Sequence, residues 1–446
     1  MISRRTFLAS TATTLLAALL ASAPATAQER KTIRFLHNET DPPSIEFFNN
    51  AIAEFEAANP NIHVEMETAD NDGRFQKILA SANTRTLPDV IKVITLENYE
   101  FVRRGFVSPL DDVVDSIGRD DFVPEALTKI DGKVYAIPYT MGNNSNLYYR
   151  TDMFKAAGLE VPKTLDEMLV AAQKLNTGGN YGFIFPASNN RASTLFFSAL
   201  MWSNGGTYFD KDLNVTFDSE ATVKTLNYIR DLAKTAPEAI GSYSFGDIIN
   251  GYLSGKAAMV LALPRLASAL GANAPQLLAD TGMASIPPGA SGAGIKMVST
   301  DGYAVASEKF GGKNQAEAKK FVEFLMTGDR PAKFALTAFP HLIPTLRSVQ
   351  ESSIEQGAKL IGGREDMART AFNVSNSLDF SNEAGARIVD GKLEVSGTVN
   401  PYIGAIIARQ VPAQVVQRVV FEGEDPAEAA KWGQEEMIRI VNELKG

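Results

Sequence analysis

The chain has 446 residues, of which 45% are hydrophobic, a formal net charge of −9 and no cysteine. At roughly 150 residues per domain, this length favours two or three domains. An acidic chain is a poor partner for nucleic acid or an anionic membrane. Because cysteine is absent, disulfides and a thiol-linked lipid anchor are excluded, and we expect a freely soluble protein.

The first 27 residues have the pattern of an export signal. The segment 3–8, Ser-Arg-Arg-Thr-Phe-Leu, is a twin-arginine signature, and a weakly apolar stretch leads to the small-residue cleavage site 25–27. The stretch is too short and too rich in Ala, Ser and Thr for a transmembrane helix of ~20 apolar residues. Removing residues 1–27, which hold two arginines and no acidic residue, leaves 419 residues with a net charge of −11. We expect export to the periplasm by the twin-arginine pathway.

Strand and helix patterns alternate in the N-terminal region. Apolar segments predict strands over 32–37, 62–66 and 90–94, and helices begin near Ser44 and Arg74 between them. This alternation predicts an α/β fold with a mainly parallel sheet.

Further elements follow along the rest of the chain. Asp131-Gly132 predicts a tight turn before a strand at 134–138, and Thr164 with Glu167 has the pattern of a capping box that opens a helix ending near 175. A Pro/Gly-rich segment spans 286–294. The remaining patterns predict strands at 147–149, 257–263 and 302–306, and helices at 194–204, 221–234, 316–327 and 426–444.

Catalytic and metal-binding patterns are missing from the sequence. The three histidines, His37, His63 and His341, have no zinc-ligand spacing. Segment 70–73, Asp-Asn-Asp-Gly, hints at a calcium loop, but Thr68 and Leu79 stand at loop positions 1 and 12, where the loop needs acidic residues. Phosphate-binding and nucleophile-elbow motifs are absent. The adjacent carboxylates at 111–112 do not imply two carboxylates facing each other across a cleft, as a glycosidase needs. We therefore expect a binding protein without cofactor or metal, and not an enzyme.

An ordered set of motifs carries a family resemblance. The motifs are Leu87-Pro88-Asp89-Val90, segment 105–111, Asp131-Gly132-Lys133-Val134-Tyr135-Ala136-Ile137-Pro138-Tyr139, segments 147–159 and 162–164, Trp202-Ser203-Asn204-Gly205-Gly206, Gly255-Lys256-Ala257-Ala258-Met259, segment 318–325 and segment 422–430. Together they resemble extracellular solute-binding proteins of family 1, the receptors of carbohydrate ABC importers, which include maltose-binding and glycerol-3-phosphate-binding proteins.

The resemblance implies two α/β lobes of the type 2 periplasmic binding fold, joined by crossing hinge strands around a central cleft. It implies a first lobe formed by 28–140 and 288–338, and a second lobe formed by 141–287 and 339–446. The crossings are expected near 139–144, 285–289 and Phe339-Pro340, after the signal peptide 1–27.

The function implied is that of a substrate-binding component that captures a sugar, an oligosaccharide or a sugar- or glycerol-phosphate-like solute. Lobe closure would follow from ligand contacts made only in the closed state. The expected partners are the solute and ABC permease subunits, with the protein a monomer. Two alternatives stay open, an exported carbohydrate-active enzyme and an extracytoplasmic sensory binding protein.

Candidate ligand residues lie at predicted strand ends and helix starts, where such clefts take their polar groups. Arg265 follows Pro264 where many sugar receptors of the family carry Gly-Pro-Trp, so a stacking platform is replaced by a bidentate donor. For several candidates an explanation without ligand binding stays open. His37 would lie in a solvated loop, Asn143 and Asn144 would be polar only because they lie at a hinge, Arg265 would be a surface residue, and Trp202 would belong to the core. The candidates are His37, Asn38, Asp72, Arg74, Thr95, Glu97, Asn143, Asn144, Trp202, Tyr243, Arg265, Tyr303, His341 and Tyr402.

Overall fold

The computed structural model describes residues 30–445, except for the side chains of Asn71 and Asp72. The predicted signal peptide lies outside the described residues. None of the helices within residues 30–445 is long and apolar enough to cross a bilayer.

Twelve strands are formed within the described residues. They are β1 (Lys31–His37), β2 (Ile62–Thr68), β3 (Val90–Ile94), β4 (Ile137–Asn143), β5 (Asn146–Arg150), β6 (Met259–Ala262), β7 (Thr281–Ser285), β8 (Lys296–Val305), β9 (Ile343–Pro344), β10 (Ser377–Leu378), β11 (Arg387–Val389) and β12 (Lys392–Glu394).

The α-helices of the same part of the chain are α1 (Pro42–Ala58), α2 (Asn71–Asn83), α3 (Thr95–Arg103), α4 (Asp111–Ile117), α5 (Thr151–Ala157), α6 (Leu165–Leu175), α7 (Arg191–Ser203), α8 (Glu220–Ala233), α9 (Phe245–Leu253), α10 (Arg265–Asn273), α11 (Pro275–Ala279), α12 (Gln315–Leu325), α13 (Arg330–Leu336), α14 (Arg347–Gly357), α15 (Glu365–Phe372), α16 (Ile403–Ala408), α17 (Val411–Val420) and α18 (Pro426–Lys445).

The first lobe is built on a seven-stranded sheet in the order β2-β1-β3-β8-β4-β9, with β10 paired to β8. Strands β2, β1 and β3 are parallel, as the strand–helix alternation predicts, and β8 runs antiparallel to both β3 and β4. Apolar residues of α1, α12 and α13 cover one face of the sheet, among them Phe48, Phe321 and Phe334. Those of α2 and α3, including Ile78 and Phe101, cover the other.

The second lobe contains the antiparallel sheet β6-β5-β7 and most of the remaining helices. Its largest core cluster joins α7, α8, α17 and α18. Helix α6 begins as the sequence predicts, because the Thr164 hydroxyl accepts the backbone N–H of Glu167 at 3.1 Å. The Glu167 carboxylate reaches back one residue farther than in a capping box and accepts the N–H of Lys163 at 2.7 Å.

Three segments connect the lobes, and all belong to the larger sheet. Strand β4 begins among first-lobe core residues at Ile137 and ends at Asn143, whose amide contacts second-lobe carbonyls. Strand β8 passes in the opposite direction beside it, and β9 pairs with β4 after the cis Phe339-Pro340 peptide.

The second crossing lies later than the sequence predicts. The segment 288–295 packs against the end of α7 in the second lobe, where Asn204 accepts the N–H of Ala290 at 3.1 Å and the Ser203 hydroxyl accepts that of Ile295 at 2.9 Å. The chain therefore passes between the lobes inside β8 rather than at 285–289. The first-lobe boundary predicted at residue 288 is corrected accordingly.

Candidate functional site

A charged group lies in the first lobe where β1, β3 and β8 meet the cleft. The Lys92 ammonium contacts the Asp301 carboxylate at 3.2 Å, and Lys92 is only 2% exposed. In the loop after β1, the Glu39 carboxylate accepts a hydrogen bond from the Tyr139 hydroxyl at 3.0 Å. Parallel β1 and β3 bring their carboxyl ends to one edge of the sheet, which places the Glu39 loop and the Asp301 strand together.

Glu39 is buried and forms no ion pair with a residue that the structure describes. Burial is the main cause that raises its pKa, and the nearby Asp301 carboxylate raises it further. Lys92, the hydrogen bond from Tyr139, and Arg265 act in the opposite direction. The carboxylate therefore occupies a poorly solvated position that favours an additional hydrogen-bond donor.

Arg265 approaches this group from the second lobe. It is the first residue of α10 and is half-buried, and its side chain makes no hydrogen bond or ion pair to any described residue. Its charge stabilises the Glu39 carboxylate and lowers the pKa of His341. We call Glu39, Lys92, Asp301 and Arg265 the cleft charge cluster. It has two positive and two negative side chains, contributed by both lobes.

Two histidines lie beside the cleft charge cluster with unused ring nitrogens. His37 is fully buried at the end of β1 and stacks on Phe35, and its Nδ1 accepts the N–H of Glu39 at 3.2 Å. Burial and the Lys92 charge lower its pKa to about 4, and burial and Arg265 lower that of His341 to about 3. His37 Nε2 and His341 Nδ1 are buried without a partner in the described part of the chain. Both rings are neutral near pH 7 and are available to hydroxyl groups.

These histidines predict a loss of stability in acid. Their folded-state pKa values lie below the ordinary value near 6.5, so the folded protein binds fewer protons than the unfolded chain. The stabilising contribution is complete above about pH 6.5 and is lost as the pH falls toward 4 and then 3. Urea unfolding at intervals from pH 7 to 4.5 should show a smaller pH dependence for the double variant His37→Gln/His341→Gln than for the wild type.

His63→Gln is the matched control for this experiment, because His63 is half-exposed and pairs with Glu56 on the surface. An unchanged slope in the double variant, or an equal flattening in the control, would contradict the assignment.

Gly142 lies in β4 opposite Ser299 of β8, at the bottom of the cleft between the lobes, and we call this position the Gly142 floor. A Cβ atom built on it would lie 3.3 Å from Ser299 Oγ, 3.6 Å from His341 Cε1 and 3.8 Å from Asn144 Oδ1. The missing side chain leaves three polar side chains close to one point of the buried backbone. This floor joins the His341 side of the cleft to the end of β4.

The two lobes contact each other at the rim of the cleft opposite the crossing strands. Leu96 at the start of α3 lies 3.6 Å from the Cβ position of Gly404 in α16, and Leu96 packs against the second-lobe core. Burial is the main cause that raises the pKa of Tyr99, and Tyr402 from the second lobe adds to it. The structure is therefore closed at the rim.

Comparisons with known proteins agree with this architecture. The sequence profile of the bacterial extracellular solute-binding protein family matches residues 41–327. The chain belongs to this family. A binding protein of Brucella abortus is 28% identical to this solute-binding protein over 323 residues, which cover 71% of this chain and 76% of the relative.

Solved structures show the same two-lobed fold. Maltose-bound MalE3 of T. maritima superposes with a TM-score of 0.72 at 20% identity, covering 92% of this solute-binding protein and 99% of that chain. An ABC transporter solute-binding protein from Agrobacterium radiobacter in complex with ribitol also gives 0.72 at 20% identity, covering 93% and 99%. The predicted family and fold class are confirmed.

The structure brings only some of the predicted site residues together. His37 and His341 lie beside the cleft charge cluster, of which Arg265 is a member, and Asn144 faces the same Gly142 position as His341. Asn38 follows His37 and is half-buried.

A second group of predicted residues lies at the start of α3. Arg74 donates to both Glu97 oxygens at 2.7 and 2.8 Å and to the Lys92 carbonyl at 2.7 Å. The Thr95 hydroxyl donates to the Thr300 carbonyl at 3.2 Å. These side chains are committed to one another in this structure, so they support the first-lobe wall.

The remaining candidates occupy other environments. Trp202 and Tyr303 are core residues, 1% and 2% exposed, and Tyr303 lies within β8 rather than at the predicted loop end. Asn143 is buried and bonded to Asn146. Tyr243 packs between core clusters of the second lobe, and Tyr402 lies at the rim beside Tyr99. Asp72 falls in α2, and its side chain lies outside the described part of the chain.

Sequence reasoning missed three members of the cleft charge cluster, namely Glu39, Lys92 and Asp301. Glu39 is only two residues beyond the predicted end of β1, a position that could have signalled it. Lys92 lies inside an otherwise apolar strand, where a charge indicates a partner on a neighbouring strand.

Proposed function

We propose that this protein is the substrate-binding component of an ABC importer and captures a neutral polyhydroxylated solute, a sugar or polyol, between its lobes. The observation that carries the proposal is the position of Glu39 and Arg265 on opposite lobes, each without an ion-pair partner among the described residues. A hydroxyl group can donate to the carboxylate and accept from the guanidinium, and vicinal hydroxyls can do both. Such a solute bridges the lobes and favours closure.

The charge balance supports a neutral solute over an anionic one. The cleft charge cluster has a net charge of zero when its carboxylates are ionised, and both neighbouring histidines are neutral. An added phosphate or carboxylate would lie uncompensated beside the Glu39 carboxylate, whose burial already disfavours its charge. Sugar and glycerol phosphates are therefore disfavoured relative to their uncharged counterparts. The ribitol complex of the Agrobacterium relative agrees with a neutral polyol.

The finer assignments belong to the same proposal. The ligand residues are Glu39, Arg265, His37, His341 and Asn144, and the partner is a membrane permease that receives the closed form. The protein binds its solute without converting it and acts as a monomer.

The proposal is tested with protein that begins at Gln28. Thermal shift and calorimetry are measured with ribitol, mannitol, glucose, maltose and glycerol 3-phosphate. A neutral ligand at 100 times its Kd should add about 2.7 kcal/mol and raise the Tm by several degrees, and it should be recovered unmodified. Selective binding of glycerol 3-phosphate would overturn the neutral class. Consumption of the ligand would favour an enzyme, and no response to any polyhydroxylated compound would overturn the proposal.

Periplasmic delivery through the twin-arginine pathway has its own test. The double variant Arg4→Lys/Arg5→Lys should leave the full-length chain in the cytoplasm, since the pathway reads the arginine pair. Cell fractionation measures its distribution beside that of the unaltered chain. Equal periplasmic recovery of both chains would contradict the route.

A further inference from the structure

A small recess opens in the second-lobe wall of the cleft. Carbon atoms of α7, α9 and the segment after β6 line most of it, contributed by Ala192, Leu195, Phe196, Phe245, Ile248 and Leu263. Polar side chains are confined to one rim, at Asn144 and Ser145. The closed structure leaves room for one group of the size of a water molecule or a methyl group.

Several polar atoms at the rim are engaged elsewhere, and Asn144 Oδ1 lies near Gly142. The Ser145 hydroxyl accepts the N–H of Met297 at 3.1 Å, and the Asn144 amide nitrogen points to the Met297 sulfur at 3.4 Å. The Leu263 carbonyl accepts the Tyr148 hydroxyl at 3.4 Å. A buried water needs two to four polar partners, which this apolar recess supplies poorly. The recess therefore favours carbon over water.

The recess shares residue Asn144 with the proposed ligand position. Asn144, on its rim, also faces the Gly142 floor, where its Oδ1 lies 3.8 Å from the built Cβ position and His341 Cε1 lies 3.6 Å from the same point. On the opposite side, Leu263 precedes Arg265 by two residues. A solute that contacts His341, Arg265 and Asn144 therefore lies beside the recess.

We propose that the recess receives a methyl group of the bound solute, so that the solute class is a deoxy sugar, of which 6-deoxyhexoses are the simplest members. This inference rests on the proposed function. A methyl group buries its surface against Leu195, Phe196 and Phe245. The hydroxymethyl group of an ordinary hexose places a polar hydroxyl against the same carbon atoms, with polar side chains only at the Asn144 and Ser145 rim. The recess thereby selects between sugars that differ by one oxygen atom.

Matched sugar pairs test the proposal by titration calorimetry. The pairs are L-rhamnose with L-mannose, L-fucose with L-galactose, and 6-deoxy-D-glucose with D-glucose, beside ribitol and mannitol. In each pair that binds, we expect the deoxy member to bind at least about fivefold more tightly, from methyl burial and from avoiding a buried unpaired hydroxyl.

Two variants locate the effect. Ala192→Leu fills the recess, because Ala192 is a buried residue of its α7 wall, and should abolish the preference for the deoxy member. Phe245→Ala removes a half-buried wall from α9 and should reduce the preference without overfilling the core. Val170→Leu, at a position 59% exposed on α6, is the matched control and should keep the full preference. Melting temperatures of all three establish that they fold.

The outcomes separate this inference from the proposed function. The inference is supported if the wild type binds deoxy sugars more tightly and both recess variants reduce this preference. A deoxy preference unchanged in both variants overturns it, because the methyl group then lies elsewhere. Binding of polyols or hydroxymethyl sugars without a deoxy preference overturns the inference and leaves the proposed function standing. If no polyhydroxylated compound binds, both fail.

Discussion

Replacing Arg265 with leucine is expected to weaken solute binding by about 100-fold. Arg265 is the second-lobe cation of the cleft charge cluster and helps to keep the buried Glu39 carboxylate ionised. Truncating one member of a buried charge arrangement costs about 2–5 kcal/mol, partly because the other charge is left uncompensated. The lower end applies here, since Arg265 is half-buried and does not contact Glu39 directly. Calorimetry with the solute identified for the wild type measures the change in Kd.

Companion variants distinguish a ligand contact from a general loss of charge. Arg265→Lys keeps the charge but loses the planar fork, so we expect an intermediate loss of about tenfold. In the double variant Arg265→Leu/Glu39→Gln the two losses should not add, because each residue acts on the same solute. Arg104→Leu is the control, because Arg104 lies exposed at the end of α3 in the first lobe and forms an ion pair there with Glu100. An Arg265→Leu affinity within threefold of the wild type would remove Arg265 from the site.

Replacing Arg74 with methionine is expected to cost about 3–5 kcal/mol of folding free energy, the usual cost of breaking a buried ion pair by removing one partner. Arg74 is fully buried and binds both oxygens of Glu97 as well as the Lys92 carbonyl. Methionine fills a similar volume but leaves Glu97, 13% exposed in its side chain, without its cation. Urea unfolding at pH 7 measures the loss.

The double variant Arg74→Met/Glu97→Gln should recover part of that stability, because the uncompensated charge is removed and the amide can still accept the N–H of Ile94. Glu97→Gln alone is the reciprocal test. A loss below 1 kcal/mol in Arg74→Met, or no recovery in the double variant, would show that the pair does not stabilise the first lobe.

Local patterns were sufficient for the elements whose stability is local or strongly periodic. Strand β3 and helices α6 and α18 begin and end within about two residues of their predictions, since apolar periodicity and a Thr164 cap determine them. Strand β8 was predicted only from residue 302, although it begins at Lys296. Its first half, where Met297 and Val298 alternate poorly with polar residues, is held by pairing with β4, more than 150 residues away in sequence.

The residues of the candidate site also divide into those that sequence patterns could predict and those that depend on distant pairing. The family resemblance led to Arg265, a member of the cleft charge cluster, and to His37 and His341, which the structure places beside it. It could not separate them from Trp202 and Tyr303, because an aromatic residue has the same sequence signature in a core as in a cleft. Lys92 and Asp301 were missed since their pairing depends on the register between β3 and β8.

The three crossing segments are hydrogen-bonded neighbours within one sheet, with β4 in the middle. Sliding one lobe past the other would break ladder hydrogen bonds, whereas a change in sheet twist preserves them. We therefore expect the relative motion of the lobes to follow a single coordinate, the twist of these three strands. One distance measured between labels on opposite sides of the cleft should then follow every step of opening, and labels at several positions should report the same transition with the same midpoint.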